Sequence, residues 1–252
     1  MNQSVIKALQ LLDLFTEEDS ELTLHELAQR ANMPKSTAYR LLTTLESRGV
    51  LDKIKETKHD ARYRLGIKLL ELGELVASRL ELRHIALPFM QSLAEEINEV
   101  IHLVIVNQDK AIYIEKVDSN RALRLNTRIG KSSPLYIGSG PKLLLAFLPN
   151  ETQDRILSGE LEPLNCGRLV DVEKLRQELE IIRKKGYAYS IGEQDADTTG
   201  ISYPIYDHLG KVIASLAVSG LSSYYEGENL IKIKQKSSET AQAISRQLGY
   251  QS

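Results

Sequence analysis

The chain of 252 residues has a single cysteine, Cys166. That scarcity excludes an internal disulfide and a cysteine-built zinc site, and it fits a reducing, cytoplasmic setting. Met1–Phe15 lacks a basic segment followed by an apolar one, so no secretory leader is expected. Long apolar runs are missing too. The charge-free stretch Val212–Tyr225 is too short and too rich in Ser and Gly to span a bilayer, and no membrane partner is expected. A net charge of −2 with 42% hydrophobic residues excludes a mainly disordered chain. The length favours two domains of ordinary size.

Signs of catalysis are equally scarce. His25, His59, His84, His102 and His208 are scattered without ligand spacing, so no metal site is expected. No GxSxG, Walker or GxGxxG pattern occurs. Cys166 has no histidine near it in sequence, and Asp195 and Asp197 read as loop residues around Ala196. The chain therefore reads as a binding protein without catalytic residues or cofactor, not as an enzyme.

What is present begins with a charge asymmetry. Residues 1–32 carry two basic and six acidic side chains, whereas residues 33–64 carry eight and four. A local basic block can be a phosphate-binding footprint, although a charge run alone is more often a solvated face. Its context decides. Val5, Ala8, Leu9 and Leu12 recur at helical spacing, as do Leu24, Leu27, Ala28 and Ala31, and then Ala38, Leu41, Leu42 and Leu45. Thr23 and Glu26 are spaced as a capping box opening the second helix. Asn32 tolerates the left-handed turn that ends it, Pro34 suits the first turn of the third helix, and Gly49 stops that helix. Two helices joined by so short a turn form a helix-turn-helix. With Ala38, Leu41 and Leu42 inward, the third helix presents Lys35, Ser36, Thr37, Tyr39 and Arg40, donors of the kind that reach bases and phosphates in a major groove. Leu51–Lys55 and Ala61–Leu65 then read as strands around Glu56–Asp60. Tyr63 and Leu65 face one way, and Arg62 and Arg64 the other, as in a basic wing.

Downstream, Ile67–Leu82 reads as a linking helix whose stripe of Leu65, Leu69, Leu72 and Val76 needs a partner. Pro88 is expected to open a helix with Phe89, Leu93 and Ile97 inward. Strands are expected at Val100–Val106, Ala111–Val117, Leu123–Ile129, Gly186–Gly192, Ile201–Tyr206 and Lys211–Ser219. Helices are expected at Leu143–Leu148, Val172–Lys185 and about Glu228–Leu248. This order predicts an α+β fold with a largely antiparallel sheet, divided as 1–65, 66–82 and 83–252.

The segments SVIKALQLLDLF, LTLHELAQRANMPKSTAYRLLTTLESRGVL and RYRLGIKLLELG resemble the winged domain of IclR-type bacterial transcriptional regulators. GKSSPLYIGSGPKLLLAFL, IRKKGYAYSIGE and YPIYDHLGKVIASLAVSGL resemble that family's effector-binding domain. The resemblance implies a winged helix-turn-helix, a linker helix and a GAF-like effector domain. It also implies a homo-dimer or tetramer on a double-stranded DNA operator, answering to a small-molecule effector and expected to repress. By motif, the family's effector pocket maps to Gly138, Ser139 and Gly140, to Ser190 where carboxylate-binding members carry Asp, near Gly200 where some carry Cys, and to Ala217 and Ser219. Pro141 stands where the family has Gly. These departures argue against a glyoxylate- or pyruvate-like ligand and leave open a larger or less polar effector, a protein signal, or none. The alternative is a protein-interaction module built on a winged helix, with Tyr39 and the linker leucines as its contact surface.

Overall fold

The structure is a computed structural model describing residues 2–16, 18–55, 61–77, 81–121, 127–164 and 167–251. The chain divides into two compact units, Met1–Arg79 and Leu80–Ser252.

The first unit runs α1 (Gln3–Leu12), β1 (Leu22–Thr23), α2 (Leu24–Arg30), α3 (Lys35–Ser47), β2 (Leu51–Lys55), β3 (Ala61–Leu65) and α4 (Lys68–Ala77). Its antiparallel sheet has the order β1-β3-β2. The predicted capping box is present. The Thr23 N–H donates to Glu26 Oε2 at 2.8 Å and the Glu26 N–H donates to Thr23 Oγ1 at 3.2 Å, which together satisfy two donors that a helix start leaves open. Asn32 turns the chain in the left-handed region, at φ 49°. Leu27, Ala28, Ala38, Leu42, Leu51 and Tyr63 are buried together with Leu11 and Leu22.

Two details of this unit differ from expectation. Val5 and Leu9 of the first stripe are exposed, and Leu11 is the residue of α1 that inserts into the core. Ala8 and Leu12 of that stripe are half-buried, and Leu12 packs against the same core as Leu11. Leu65 is likewise exposed where it was expected to share the buried side of Tyr63, because β3 ends there and the chain leaves the sheet. The loop Glu56–Asp60 lies outside the described residues.

The second unit begins with α5 (Glu81–Ile97), so Pro88 sits inside a helix and does not open one. Buried Ala86 and Met90 on either side of it hold the helix through the missing N–H. The predicted linking helix Ile67–Leu82 is described in two parts, α4 and the start of α5, and residues 78–80 lie outside the described residues. There follow β4 (Val100–Asn107), β5 (Lys110–Val117), β6 (Ser132–Pro134), α6 (Ser139–Phe147), α7 (Asn150–Leu157), α8 (Val172–Lys185), β7 (Ala188–Ile191), β8 (Thr198–Tyr206), β9 (Val212–Leu221) and α9 (Gly227–Gln247). Of the expected strand Leu123–Ile129, residues 123–126 lie outside the described residues and 127–129 are not strand. Ser132–Pro134 pairs with β5 instead. Cys166 also lies outside them.

The unit is α+β. Its six-stranded antiparallel sheet has the order β6-β5-β4-β9-β8-β7. Side-chain alternation splits the core between two faces. Ile101, Leu103, Ile201, Ile205, Leu216 and Val218 pack with α5 and α9 on one face. Val104, Tyr113 and Ala217 pack with α6 and α8 on the other.

Candidate functional site

In the first unit, α3 buries Ala38 and Leu42 and leaves Lys35, Ser36, Tyr39 and Arg40 exposed, with Thr37 half-buried. No acidic residue stands in its first turn. The helix thus offers a cationic, donor-rich face with its N-terminus open. Lys53 of β2 stands 6.0 Å from the centre of the Tyr39 ring and 5.8 Å from that of Tyr63, at the outer range of a cation–π contact. It brings a further cation beside the exposed face. Nothing in the spacing of the sequence singled Lys53 out, since its place depends on the pairing of Lys53 with Tyr63 across the hairpin.

The two wing arginines differ. Arg64 is exposed and meets Asp52 at 3.4 Å, a surface pair of small net worth that another anion can replace. Arg62 is half-buried on the central strand β3. The Thr23 backbone N–H holds the Glu26 carboxyl below the usual carboxylate range, and the charge of Arg62 contributes. Its charge is therefore felt partly within its own unit.

In the second unit, the strand face toward α6 is unusually polar. Ser190, Gly200 and Ser219 are cross-strand neighbours on β7, β8 and β9, as are Ser202, Ala217 and His102 on β8, β9 and β4. The N-terminus of α6 meets this face, and a cleft forms between them. All seven positions that the motif resemblance marked, Gly138, Ser139, Gly140, Ser190, Gly200, Ala217 and Ser219, line it. His102, Tyr113, Thr127, Glu193, Gln194, Asp195, Thr198 and Thr199 complete the lining. Its free space is small, about 20 Å3, enough for little more than a water molecule.

Close packing explains the glycines. A Cβ on Gly200 would lie 2.7 Å from Ser139 Oγ and 3.0 Å from Ser190 Oγ. Gly138 caps α6 at φ 88°, a conformation that favours glycine. Pro141 falls in the first turn of α6, where its lack of an N–H costs nothing.

The polar groups form a network with one gap. Ser202 Oγ donates to Ser139 Oγ at 2.7 Å, and Gln194 Nε2 donates to Tyr113 Oη at 2.9 Å. The Gly138 N–H donates to Glu193 Oε2 at 2.8 Å. The other oxygen of Glu193 meets Lys142 Nζ at 2.6 Å, and Glu178 of α8 meets the same ammonium at 2.5 Å. Lys142 is 2% exposed, so its charge is compensated by two carboxylates where water cannot reach it. The gap is His102. It is 2% exposed, and neither ring nitrogen has a hydrogen-bond partner among the described residues. Burial, aided by the charge of Lys116, holds its pKa down to about 3. The Tyr113 ring meets it edge-on at 5.3 Å.

Motif comparison found neither His102 nor Glu193. The signal for His102 was a single imidazole inside the apolar strand Val100–Val106, where a ring facing the other side of the sheet looks the same as an ordinary core residue. Glu193 acts through contacts 51 and 55 residues away in sequence, which spacing does not reveal.

A helix-turn-helix unit with an exposed cationic helix, joined in one chain to an α+β unit with a polar cleft, defines a ligand-responsive DNA-binding regulator. The description "IclR helix-turn-helix domain" matches residues 4–54, and "Bacterial transcriptional regulator IclR C-terminal" matches residues 74–246. The HTH-type transcriptional regulator KipR of Bacillus subtilis is 36% identical over 250 residues, covering 99% of this chain and 98% of KipR. The transcriptional repressor IclR of Escherichia coli is 28% identical over 221 residues, covering 86% of this chain and 80% of that protein. An IclR homologue of Microbacterium hydrocarbonoxydans, solved with 4-hydroxybenzoate, superposes with a TM-score of 0.82 at 26% identity and covers 98% of this chain and 99% of its own. The chain belongs to the IclR family of bacterial DNA-binding transcriptional regulators. No described helix is long and apolar enough to cross a membrane.

Proposed function

We propose that the protein is an effector-controlled repressor that grips a two-fold operator as a homo-dimer or a tetramer built from dimers. The observation that carries the DNA reading is the division of α3: Ala38 and Leu42 are fully buried, while Lys35, Ser36, Tyr39 and Arg40 are exposed. A helix held by one face and charged on the other is built to enter a major groove. Arg40 and Lys35 are assigned to guanine or phosphate contacts, and Ser36, Thr37 and Tyr39 to base edges or backbone. Arg64 is assigned to a phosphate beside the groove, with Arg62 its weaker companion. Repression is supported by the name of the Escherichia coli relative.

The effector site is assigned to the cleft at the α6 N-terminus, through Gly138, Ser139, Gly140, Ser190, Gly200, Ala217 and Ser219. The ligand-bound Microbacterium homologue supports a small molecule as the signal. Footprinting on the DNA flanking the protein's own gene tests the DNA reading. A protected two-fold site whose affinity falls steeply with salt is expected. Absence of protection at low salt, alongside a stable complex with another protein, would favour the interaction-module alternative.

A further inference from the structure

We infer that the cleft at the start of α6, widening beyond its free space of about 20 Å3 as its lining side chains give way, takes a small, uncharged, hydroxyl-rich ligand, a short polyol or open-chain sugar, and discriminates against carboxylates and aromatic rings. The inference rests on the reading of this cleft as the effector site.

Three observations carry it. The first is the state of the helix terminus. A helix N-terminus attracts an anion, but here the chain supplies its own. Glu193 Oε2 takes the Gly138 N–H at 2.8 Å, and its second oxygen is anchored on the buried Lys142 at 2.6 Å. A ligand carboxylate would have to displace Glu193 from both or settle beside it. Among the described residues no lysine or arginine lines the cleft to pair with an arriving carboxylate, whereas Glu193 and Asp195 do line it.

The second is the lining. Tyr113 and Ala217 are its principal apolar bodies, and hydroxyls, an amide, an imidazole and glycine backbone make up most of the rest. The ring of an aromatic ligand would strip water from those groups and return no hydrogen bonds.

The third is His102. Buried with both nitrogens unpartnered, it is a polar group the fold leaves unsatisfied. A neutral imidazole shows one donor and one acceptor, and a hydroxyl is both at once. Its pKa near 3 keeps it in that neutral form throughout the working range.

The test uses the full-length protein and isothermal titration at millimolar ligand, so that a saturable heat separates binding from general osmolyte stabilisation. Erythritol and sorbitol are compared with erythronate and gluconate, their carboxylate counterparts, and with 4-hydroxybenzoate. Saturable binding of at least one polyol, at least tenfold tighter than its acid, is expected. His102→Leu should weaken that binding at least tenfold while the ligand-free melting temperature holds or rises, since an unpaired buried polar group is removed. Glu193→Gln should shift the preference toward the acid at least tenfold. Lys142 keeps Glu178 in that variant, and its melting curve reports whether the fold survives.

Acids binding the wild type more tightly than the matched alcohols, 4-hydroxybenzoate binding alone, or silence from every polyol would each overturn the ligand class. The operator readout separates the two layers. A polyol that binds and leaves operator affinity unchanged sinks the effector reading and leaves the ligand class standing. An acid or aromatic that releases the operator does the reverse.

Discussion

Arg40 and His102 are both polar, and their surroundings give them opposite consequences. Arg40 stands exposed on α3, so its removal should leave the fold nearly untouched. Arg40→Ala is expected to raise the operator Kd at least tenfold and to reduce the slope of log K against log salt by about one if its partner is a phosphate. Fluorescence anisotropy over a salt series reads both. His102 is enclosed, and its folded pKa of about 3 lies below the 6.5 of the free side chain. Between those values the unfolded chain binds a proton that the folded chain refuses. Stability is therefore complete above about pH 6.5 and falls as pH drops toward 3, by up to about 1.4 kcal/mol per pH unit. Urea unfolding at pH 7, 6, 5 and 4 should show a shallower decline for His102→Leu than for the wild type. Equal slopes would show that the ring is not the group responsible.

At the scale of elements, the end of α3 and the exit of the wing are joined through two glycines. The Gly66 N–H donates to the Val50 carbonyl at 2.9 Å, and the Lys68 N–H donates to the Gly49 carbonyl at 3.3 Å. A Cβ on Gly66 would lie 2.2 Å from the Gly49 carbonyl oxygen, which is backbone and cannot swing aside. Gly66→Ala is expected to cost at least about 2 kcal/mol by overpacking. Faster amide exchange in α3 and β3, with the second unit unchanged, would show it by mass spectrometry.

This junction was not legible in the sequence, although its neighbours were. The capping box at Thr23 and Glu26, the strands Leu51–Lys55 and Ala61–Leu65 and the helix Val172–Lys185 carry local signals that decide their own ends: a cap, a polar break, a charged face with Gly186 to close it. The start of α6 was missed because Gly140 and Pro141 discourage a helix locally, and packing against the sheet overrides them. Asn150–Leu157 was missed because it is mostly polar and buries only Gln153 and Leu157. Motif likeness located the seven cleft positions together, but the unpaired imidazole and the Glu193 anchor appear only when strands distant in sequence are laid side by side.

For the molecule as a whole, the first unit leaves a good deal of apolar surface uncovered. Ile67 and Leu70 are 66% and 65% exposed, and Leu72, Val5 and Leu9 are exposed with them. In the proposed dimer a second copy of the chain would cover this surface, and an isologous contact would set two recognition helices one helical turn of DNA apart. Leu70→Asp should lower the mass measured by light scattering at micromolar protein and weaken operator binding more than it weakens contact with a single half-site. An unchanged mass would place the assembly contact elsewhere. An effector acts on such an assembly only by binding its two arrangements unequally. The useful titration is therefore of operator affinity against ligand, not of ligand binding alone.

The outermost strands of the six-stranded sheet, β6 and β7, are three and four residues long, while the inner ones run to eight, nine and ten. A rim that short offers a stray strand few rungs on which to zip. The same sheet that displays a polar floor to α6 is thereby poorly suited to templating fibrils.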